Sequence, residues 1–128
     1  MELKDFMLQN GKNLFRDFTH EEIAEIQHLT SQLEQVKAIL KLIHDPEMSI
    51  NIYDLGLIYN IDIDGDKITI TMTLTSATCP VADYILQEIK DKVLTHIKSA
   101  HKVDINLVWT PKWHKDMMSE EAKFMVGM

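Results

Sequence analysis

Residues 73–80 read Thr-Leu-Thr-Ser-Ala-Thr-Cys-Pro, and an alternating β pattern stops there as a helical pattern begins. Proline suits the first position of a helix, because the N–H group that it lacks has no partner there. The sequence therefore predicts that Cys79, the only cysteine, lies at or beside the helix N-cap. Helix N-termini favour the thiolate form of cysteine, which binds metals and attacks electrophiles. Cys79 is thus a candidate functional residue; the alternative is a small buried hydrophobic residue.

Upstream of this stretch, apolar and polar residues alternate around a turn at Asp64-Gly65. A two-residue loop at this turn predicts a hairpin with strands 57–63 and 68–74. Its register pairs apolar residues on a single face: Ile61 with Ile68, Tyr59 with Ile70, and Leu57 with Met72.

Helical spacing lies on both sides of the hairpin. Apolar residues recur at steps of three and four over residues 20–43, which predicts one long helix or two collinear ones. The pairs Thr19 with Glu22 and Ser31 with Glu34 are typical of capping boxes at helix starts. After Pro80, the same spacing predicts a helix of about 18 residues.

The remaining C-terminal residues predict one strand and one short helix. Residues 103–109 alternate as a third strand, and Asp116 or Ser119 can cap the last helix. The order of elements predicts an α+β fold. It is a two-layer sandwich in which a three-stranded sheet carries amphipathic helices on one face.

Composition narrows the possible functions. The chain has 128 residues, 45% of them hydrophobic, and a formal net charge of −7, which opposes binding to nucleic acid or to anionic membranes. It has no long apolar run and its N-terminus lacks a signal-peptide layout, so we expect a cytoplasmic protein. A single cysteine excludes an intrachain disulfide and any zinc or iron–sulfur site built wholly from this chain's thiolates.

Two loops carry further candidate residues. Pro46 ends the preceding helix, so Asp45-Pro46-Glu47 is expected to form a bend with two carboxylates. These carboxylates are either solvated, or bind a cation or act as bases if the fold brings them to Cys79. Trp113 is expected in a loop, where a large aromatic side chain either covers the core or contacts a partner.

Six sequence blocks in a fixed order resemble the SufT/PaaD-like (MIP-type) family of iron–sulfur cluster assembly-associated proteins. The blocks are Asp45-Pro46-Glu47, residues 54–59, Thr73-Leu74-Thr75-Ser76 with Cys79-Pro80, Val108-Trp109, Pro111 with Trp113, and residues 116–119. The resemblance spans residues 34–128 and implies the fold of an iron–sulfur cluster assembly domain. Residues 1–33 would then be an N-terminal helical extension. Ser49, Thr110, Lys112 and His114 depart from the family pattern.

The resemblance also implies a functional site. Its pocket residues would be Asp45, Glu47, Thr75, Ser76 and Cys79, with Cys79 as the metal ligand and with Pro111 and Trp113 as partner contacts. The predicted hairpin register, continued beyond Leu57, sets Asp54 near Thr75 and so adds Asp54 to this pocket. The implied role is non-catalytic: assembly of an iron–sulfur cluster, or its delivery to apo-proteins, with a cluster or iron bound transiently. Expected partners are the iron–sulfur assembly machinery, the apo-protein targets and, in a homodimer, a second copy of the chain, but neither nucleic acid nor membrane.

The sequence is also compatible with three other functions. The protein could be a subunit or maturation factor of a phenylacetyl-CoA-type oxygenase system, as some relatives in the resembled family are. It could be a small enzyme with a Cys79 nucleophile and Asp45 or Glu47 as acid or base, although no motif places a histidine beside them. It could also be a structural adaptor in which Cys79 is dispensable.

Overall fold

The computed structural model describes residues 17–45, 50–75 and 79–125, and for residues 79–82 it describes the backbone alone. Three helices and three strands form the body of the fold, and a 3-10 turn and a short helix follow them. In chain order the elements are α1 (His20–His28), α2 (Gln32–Leu40), β1 (Ile58–Asp64), β2 (Lys67–Met72), α3 (Cys79–His96), β3 (Lys102–Leu107), a 3-10 turn (Lys115–Met117) and α4 (Glu120–Met125).

The three strands form one mixed sheet in the order β1-β2-β3. Strand β2 pairs antiparallel with β1 and parallel with β3, and α3 provides the connection between the two parallel strands. The inward-facing residues of β2 are fully buried, as are those of α3; they are Ile68, Ile70, Met72, Ile85, Ile89 and Val93. The predicted α+β fold with a three-stranded sheet is confirmed, and so is the helix of about 18 residues, which begins at Cys79.

The predicted hairpin register is wrong. Gly65 and Asp66 form the loop, so Ile61 pairs with Ile70 and Ile63 with Ile68. Each partner is therefore two residues away from the predicted one. A shift of two keeps side chains on the same face, so the predicted apolar face is correct between residues 61 and 70.

A bulge at Tyr59 changes the pairing beyond that point. The register shifts between Ile58 and Asn60, so Ile58 lies opposite Met72 and Tyr59 has no direct partner on β2. The Tyr59 hydroxyl instead donates a hydrogen bond to the carbonyl of Pro111 at 2.7 Å. The bulge thereby directs this tyrosine to the loop that follows β3.

The long N-terminal helical pattern forms two helices, separated at residues 29–31. The capping box at Thr19 is confirmed: its hydroxyl accepts from the Glu22 backbone N–H at 3.1 Å, and its own N–H donates to the Glu22 carboxylate at 2.9 Å. The second capping box is wrong, because Ser31 makes no side-chain capping hydrogen bond. Within the described residues, no helix is both long and apolar enough to cross a membrane.

Candidate functional site

Asp45 is a buried carboxylate at the end of the segment that follows α2. Its side chain is 1% exposed, and its backbone N–H donates to the carbonyl of Ile50 at 3.0 Å. Next to it, His44 forms an isolated antiparallel bridge with Asn51, and the N–H of Ile52 donates to the Ile43 carbonyl at 2.9 Å. These contacts join the two sides of residues 46–49 and fix the position of Asp45.

The structure brings Thr75 to Asp45. The Thr75 hydroxyl donates to Oδ2 of Asp45 at 3.3 Å, across 30 positions of sequence. Thr75 lies three residues beyond the end of β2, and α3 begins four residues later at Cys79. Four residues span at most about 14 Å when fully extended, so the backbone of Cys79 lies within that distance of Thr75.

Asp54, the third predicted carboxylate of the pocket, forms a turn with Asn51. The Asn51 amide donates to Oδ2 of Asp54 at 2.7 Å, and its Oδ1 accepts from the Asp54 N–H at 2.8 Å. The Asp54 carbonyl accepts from the N–H of Ser119 at 2.8 Å. These bonds hold the turn before β1 against the start of α4, and they do not involve Asp45 or Thr75.

The loop after β3 packs against that same turn. The Trp113 indole N–H donates to the Leu55 carbonyl at 2.6 Å, and the Trp113 ring is half-buried against the core. Gly56 approaches the backbone of Met117 so closely that an added Cβ would lie 2.7 Å from its carbonyl carbon. Trp113 therefore covers the core, whereas Pro111 is exposed. Their predicted contact with a partner stays a prediction.

Thr73 is a notable residue that the sequence reasoning missed. Its side chain is 1% exposed, and its Oγ1 has no hydrogen-bond partner among the residues that the structure describes. Its backbone N–H donates to the carbonyl of Leu57 at 2.9 Å, so the backbone of Thr73, just beyond β2, still pairs with the residue that precedes β1. The threonines at 69, 71, 73 and 75 have the pattern of an ordinary polar β face. Only tertiary packing makes Thr73 different from its neighbours.

The remaining predicted pocket residues lie partly or wholly outside the described residues. Residues 46–49 and 76–78 contain Glu47 and Ser76, and for Cys79 the backbone alone is described, as the first residue of α3. Their roles stay predictions. Among the residues that the structure does describe, no group of three or more histidine, cysteine, aspartate or glutamate side chains could hold a metal ion.

Comparison with known proteins identifies the family. Residues 33–107 match the family of iron-sulfur cluster assembly proteins. The chain belongs to this family. The resemblance seen in the sequence blocks is thereby confirmed, and the match covers both candidate elements of the site, the Asp45 segment and the segment from Thr75 to Cys79.

Curated relatives in the family are similar over most of their length. The chain is 46% identical over 95 residues to an Fe-S protein maturation auxiliary factor of Porphyromonas gingivalis, covering 73% of this chain and 90% of the relative. It is 41% identical over 88 residues to the Fe-S protein maturation auxiliary factor SufT of Staphylococcus aureus, covering 68% and 99%. A solved domain of unknown function from Bacillus anthracis has a TM-score of 0.71 at 35% identity, covering 76% and 92%.

Proposed function

We propose that this protein is a cytoplasmic, non-catalytic factor that assembles iron–sulfur clusters or delivers them to apo-proteins, acting through a site built on Asp45, Thr75 and Cys79. The observation that carries the proposal is a hydrogen bond from Thr75 to the buried carboxylate of Asp45. Thr75 lies four residues before the only cysteine, Cys79. The relatives described above are named as auxiliary factors in Fe-S protein maturation, which supports the same role.

The chemistry of this arrangement suits a cluster that is held weakly. Thiolate and carboxylate are both ligands that iron accepts, and a carboxylate already fixed by a hydrogen bond needs little reorganisation to bind. A helix that begins at Cys79 would favour the thiolate through its free N–H groups. One thiolate is far from the four protein ligands that clusters normally take, so a bound cluster would be labile, as delivery requires.

The same ligand count determines the expected partners. The rest of the coordination shell must come from elsewhere: Glu47 of this chain, a second copy of the chain, or cysteines of the assembly machinery and the apo-protein target. We propose that Ser76 and Asp54 shape the pocket, and that Pro111 and Trp113 border the surface that meets the partner. An enzyme with a Cys79 nucleophile is the rival proposal.

Anaerobic reconstitution with ferrous iron and sulfide tests the proposal directly. Wild type, Cys79→Ser and Asp45→Asn are compared by visible absorption and by transfer of the cluster to an apo-enzyme that is inactive without one. The matched control is Asp62→Asn, which alters an exposed carboxylate on β1. We expect Cys79→Ser to abolish both signals, Asp45→Asn to weaken them and Asp62→Asn to behave as wild type.

Two outcomes would revise the proposal in different ways. If wild type stays colourless but Cys79→Ser still fails to mature targets in cells, the chain does not hold the cluster and Cys79 acts through partner contact. If Cys79→Ser matures its targets normally, the thiol-centred site is wrong. Thermal unfolding of each variant shows whether a lost signal reflects a lost fold.

A further inference from the structure

Strand β3 lies at one edge of the sheet, so one side of its backbone meets no other strand of that sheet. On its inner side, the N–H of Lys102 donates to the carbonyl of Asp66 at 3.2 Å, and the N–H of Val108 donates to the carbonyl of Met72 at 2.8 Å. Alternate residues of a strand direct both backbone groups to the same neighbour, so the even-numbered residues of β3 bond to β2. The residues that direct their N–H and C=O groups away from the sheet are Val103, Ile105 and Leu107.

The two edges of the sheet differ in how they are protected. Proteins protect a free edge from further pairing with bulges, among other devices. The opposite edge, β1, carries the bulge at Tyr59, whereas β3 pairs with β2 without any shift of register. Among the residues that the structure describes, none hydrogen-bonds to the open side of β3. Strand β3 is therefore the edge that can accept another strand.

Apolar side chains line the open side of β3. Along the strand, Val103 is 6% exposed, whereas Ile105 and Leu107 are half-buried. Two residues beyond the end of the strand, the Trp109 ring is 48% exposed. The apolar surface therefore opens progressively towards the C-terminal end of β3.

Helix α3 adds one apolar and one charged side chain above this edge. Helices α1 and α2 pack on one side of α3, where the ammonium nitrogen of Lys92 lies 5.0 Å from the ring of Phe18. Leu94, two residues later, is about 200° further around the helix and 43% exposed, so it faces the β3 edge. Lys90 lies four residues before Leu94 and shares that side of the helix. Among the described residues, Lys90 has no ion-pair partner.

Lys90 is about level with the middle of β3. Helix α3 ends at His96 and β3 begins at Lys102, and the two elements run in opposite directions because α3 connects the parallel strands β2 and β3. From His96 back to Lys90 the helix rises about 9 Å, and from Lys102 to Ile105 the strand advances about 10 Å. A strand added beside β3 would therefore place a side chain next to Lys90.

The charge of Lys90 distinguishes between a second copy of the chain and a different partner. Two copies paired through β3 about a twofold axis at Ile105 would bring the two Lys90 side chains together, and like charges oppose such a contact. A partner strand with a carboxylate at this point would instead form an ion pair with Lys90. Lys90 and Leu94 are separated by about 6 Å along the helix, which matches the spacing of side chains two residues apart on a strand.

We propose that the open edge of β3 binds an extended segment of another protein that carries a carboxylate flanked, two residues away, by apolar side chains. Main-chain hydrogen bonds to Val103, Ile105 and Leu107 supply the part of the binding that any strand shares. The carboxylate beside Lys90 and the apolar contact with Leu94 select the segment. The proposal does not rest on the cluster-binding role, because neither Asp45 nor Thr75 belongs to this edge.

Titration of the full chain with synthetic peptides tests strand addition. The acidic peptide has Val, Glu and Val at successive alternate positions with Thr between them, and a second peptide has Lys in place of Glu. Hydrogen exchange is followed by NMR at each backbone amide. We expect the acidic peptide to slow exchange at Val103, Ile105 and Leu107. The amides of Ile61 and Ile63, on the open side of β1, are the internal control and should not change. The acidic peptide with N-methylated backbone amides should not bind.

A charge exchange tests the selection of the segment. Lys90→Glu should weaken binding of the acidic peptide about tenfold and should strengthen binding of the Lys peptide, because each attraction becomes a repulsion and the reverse. The matched control is Lys123→Glu, which changes the net charge equally on α4 and should leave both affinities unchanged.

Three results would overturn the proposal. The first is unchanged exchange at the β3 amides in the presence of the acidic peptide, and the second is equal binding of the N-methylated peptide. The third concerns the free, metal-free protein in sedimentation velocity. A dimer that persists in Cys79→Ser and that the acidic peptide dissociates would assign the β3 edge to a second copy of the chain.

Discussion

Gly56 and Gly65 both have positive φ, but only Gly56 lacks room for a side chain. Alanine variants at the two positions therefore distinguish the free-energy cost of backbone strain from that of a steric clash. Gly56 has φ of 82° and an added Cβ would strike Met117, whereas Gly65 has φ of 62° and an added Cβ there would meet no atom of the described residues within 4 Å. We expect Gly65→Ala to lower the free energy of unfolding by about 1 kcal/mol, the cost of a left-handed residue. Gly56→Ala should lower it by about 3 kcal/mol or more, because the loop after β3 must also move. Urea unfolding of both variants measures the difference, and equal losses would show that the Met117 contact yields easily.

The buried hydroxyl of Thr73 leads to a prediction of the opposite sign, in which a substitution stabilises the fold. An unpaired buried polar group costs about 1–3 kcal/mol, and Val has the same shape without that group. Thr73→Val should therefore raise the free energy of unfolding by about 1 kcal/mol or more. The control Thr71→Val, at a half-buried position on β2, should change it by less than about 0.5 kcal/mol. A loss of stability in Thr73→Val would show that the hydroxyl has a partner in solution.

At the scale of elements, the last turn of α3 links stability to pH through His96. Burial lowers the pKa of His96, the charge of Lys92 lowers it further, and Asp91 acts in the opposite direction. The unfolded chain therefore binds this proton more readily than the folded chain does. Its contribution to stability is complete above the ordinary pKa of about 6.5 and is lost as pH falls through the lower pKa of the folded state.

The variant His96→Phe keeps an aromatic ring against Phe18 but cannot titrate. Unfolding measured between pH 7.5 and 4.5 should show a shallower loss of stability at acid pH in this variant than in wild type. His28→Gln, a change at an exposed histidine in the last turn of α1, is the control and should keep the wild-type slope. An unchanged slope in His96→Phe would mean that other groups determine the acid sensitivity.

The hairpin shows which features of an element follow from sequence. The period of two located both strands and their apolar face, because burial on one face requires alternation. The pairing was wrong because Asp64-Gly65 and Gly65-Asp66 both make acceptable two-residue turns, and local sequence does not choose between them. The bulge at Tyr59 could not be predicted from the sequence for a different reason. The Tyr59 hydroxyl bonds to Pro111, 52 residues away, and no local pattern reports such a contact.

At the scale of the whole molecule, residue patterns alone proposed candidate site residues, and only the family resemblance grouped Asp45 with Thr75. Asp45 and Thr75 were both candidates, yet their hydrogen bond depends on how the chain crosses between α2 and β2. Asp54 was placed beside Thr75 by the predicted hairpin register, which is wrong, and its described bonds go to Asn51 and Ser119. We propose that residues 1–33 are an extension of a domain at 34–128. Phe18 and Ile26 of this extension nevertheless belong to the hydrophobic core.

Because each chain has a single thiolate, we can predict how many molecules of the protein would hold one cluster. If the protein holds a cluster, it should do so between two molecules, each contributing Cys79, because a cluster normally takes four protein ligands and the chain offers one thiolate. Carboxylates such as Asp45 and Glu47, or a small thiol, would complete the shell. Native mass spectrometry under anaerobic conditions should then find iron and sulfide only in a species of twice the chain mass of 14.8 kDa.

The variant Cys79→Ser should remove both the cluster and the cluster-dependent dimer while leaving thermal unfolding nearly unchanged, since the change replaces a single side-chain atom. Thr75→Val should weaken uptake less severely, because it removes a hydrogen bond to Asp45 but no proposed ligand. A monomer that carries a stable cluster would contradict the shared site. The missing ligands would then have to come from carboxylates and histidines of one chain, and substitutions at Asp45 should abolish uptake as completely as those at Cys79.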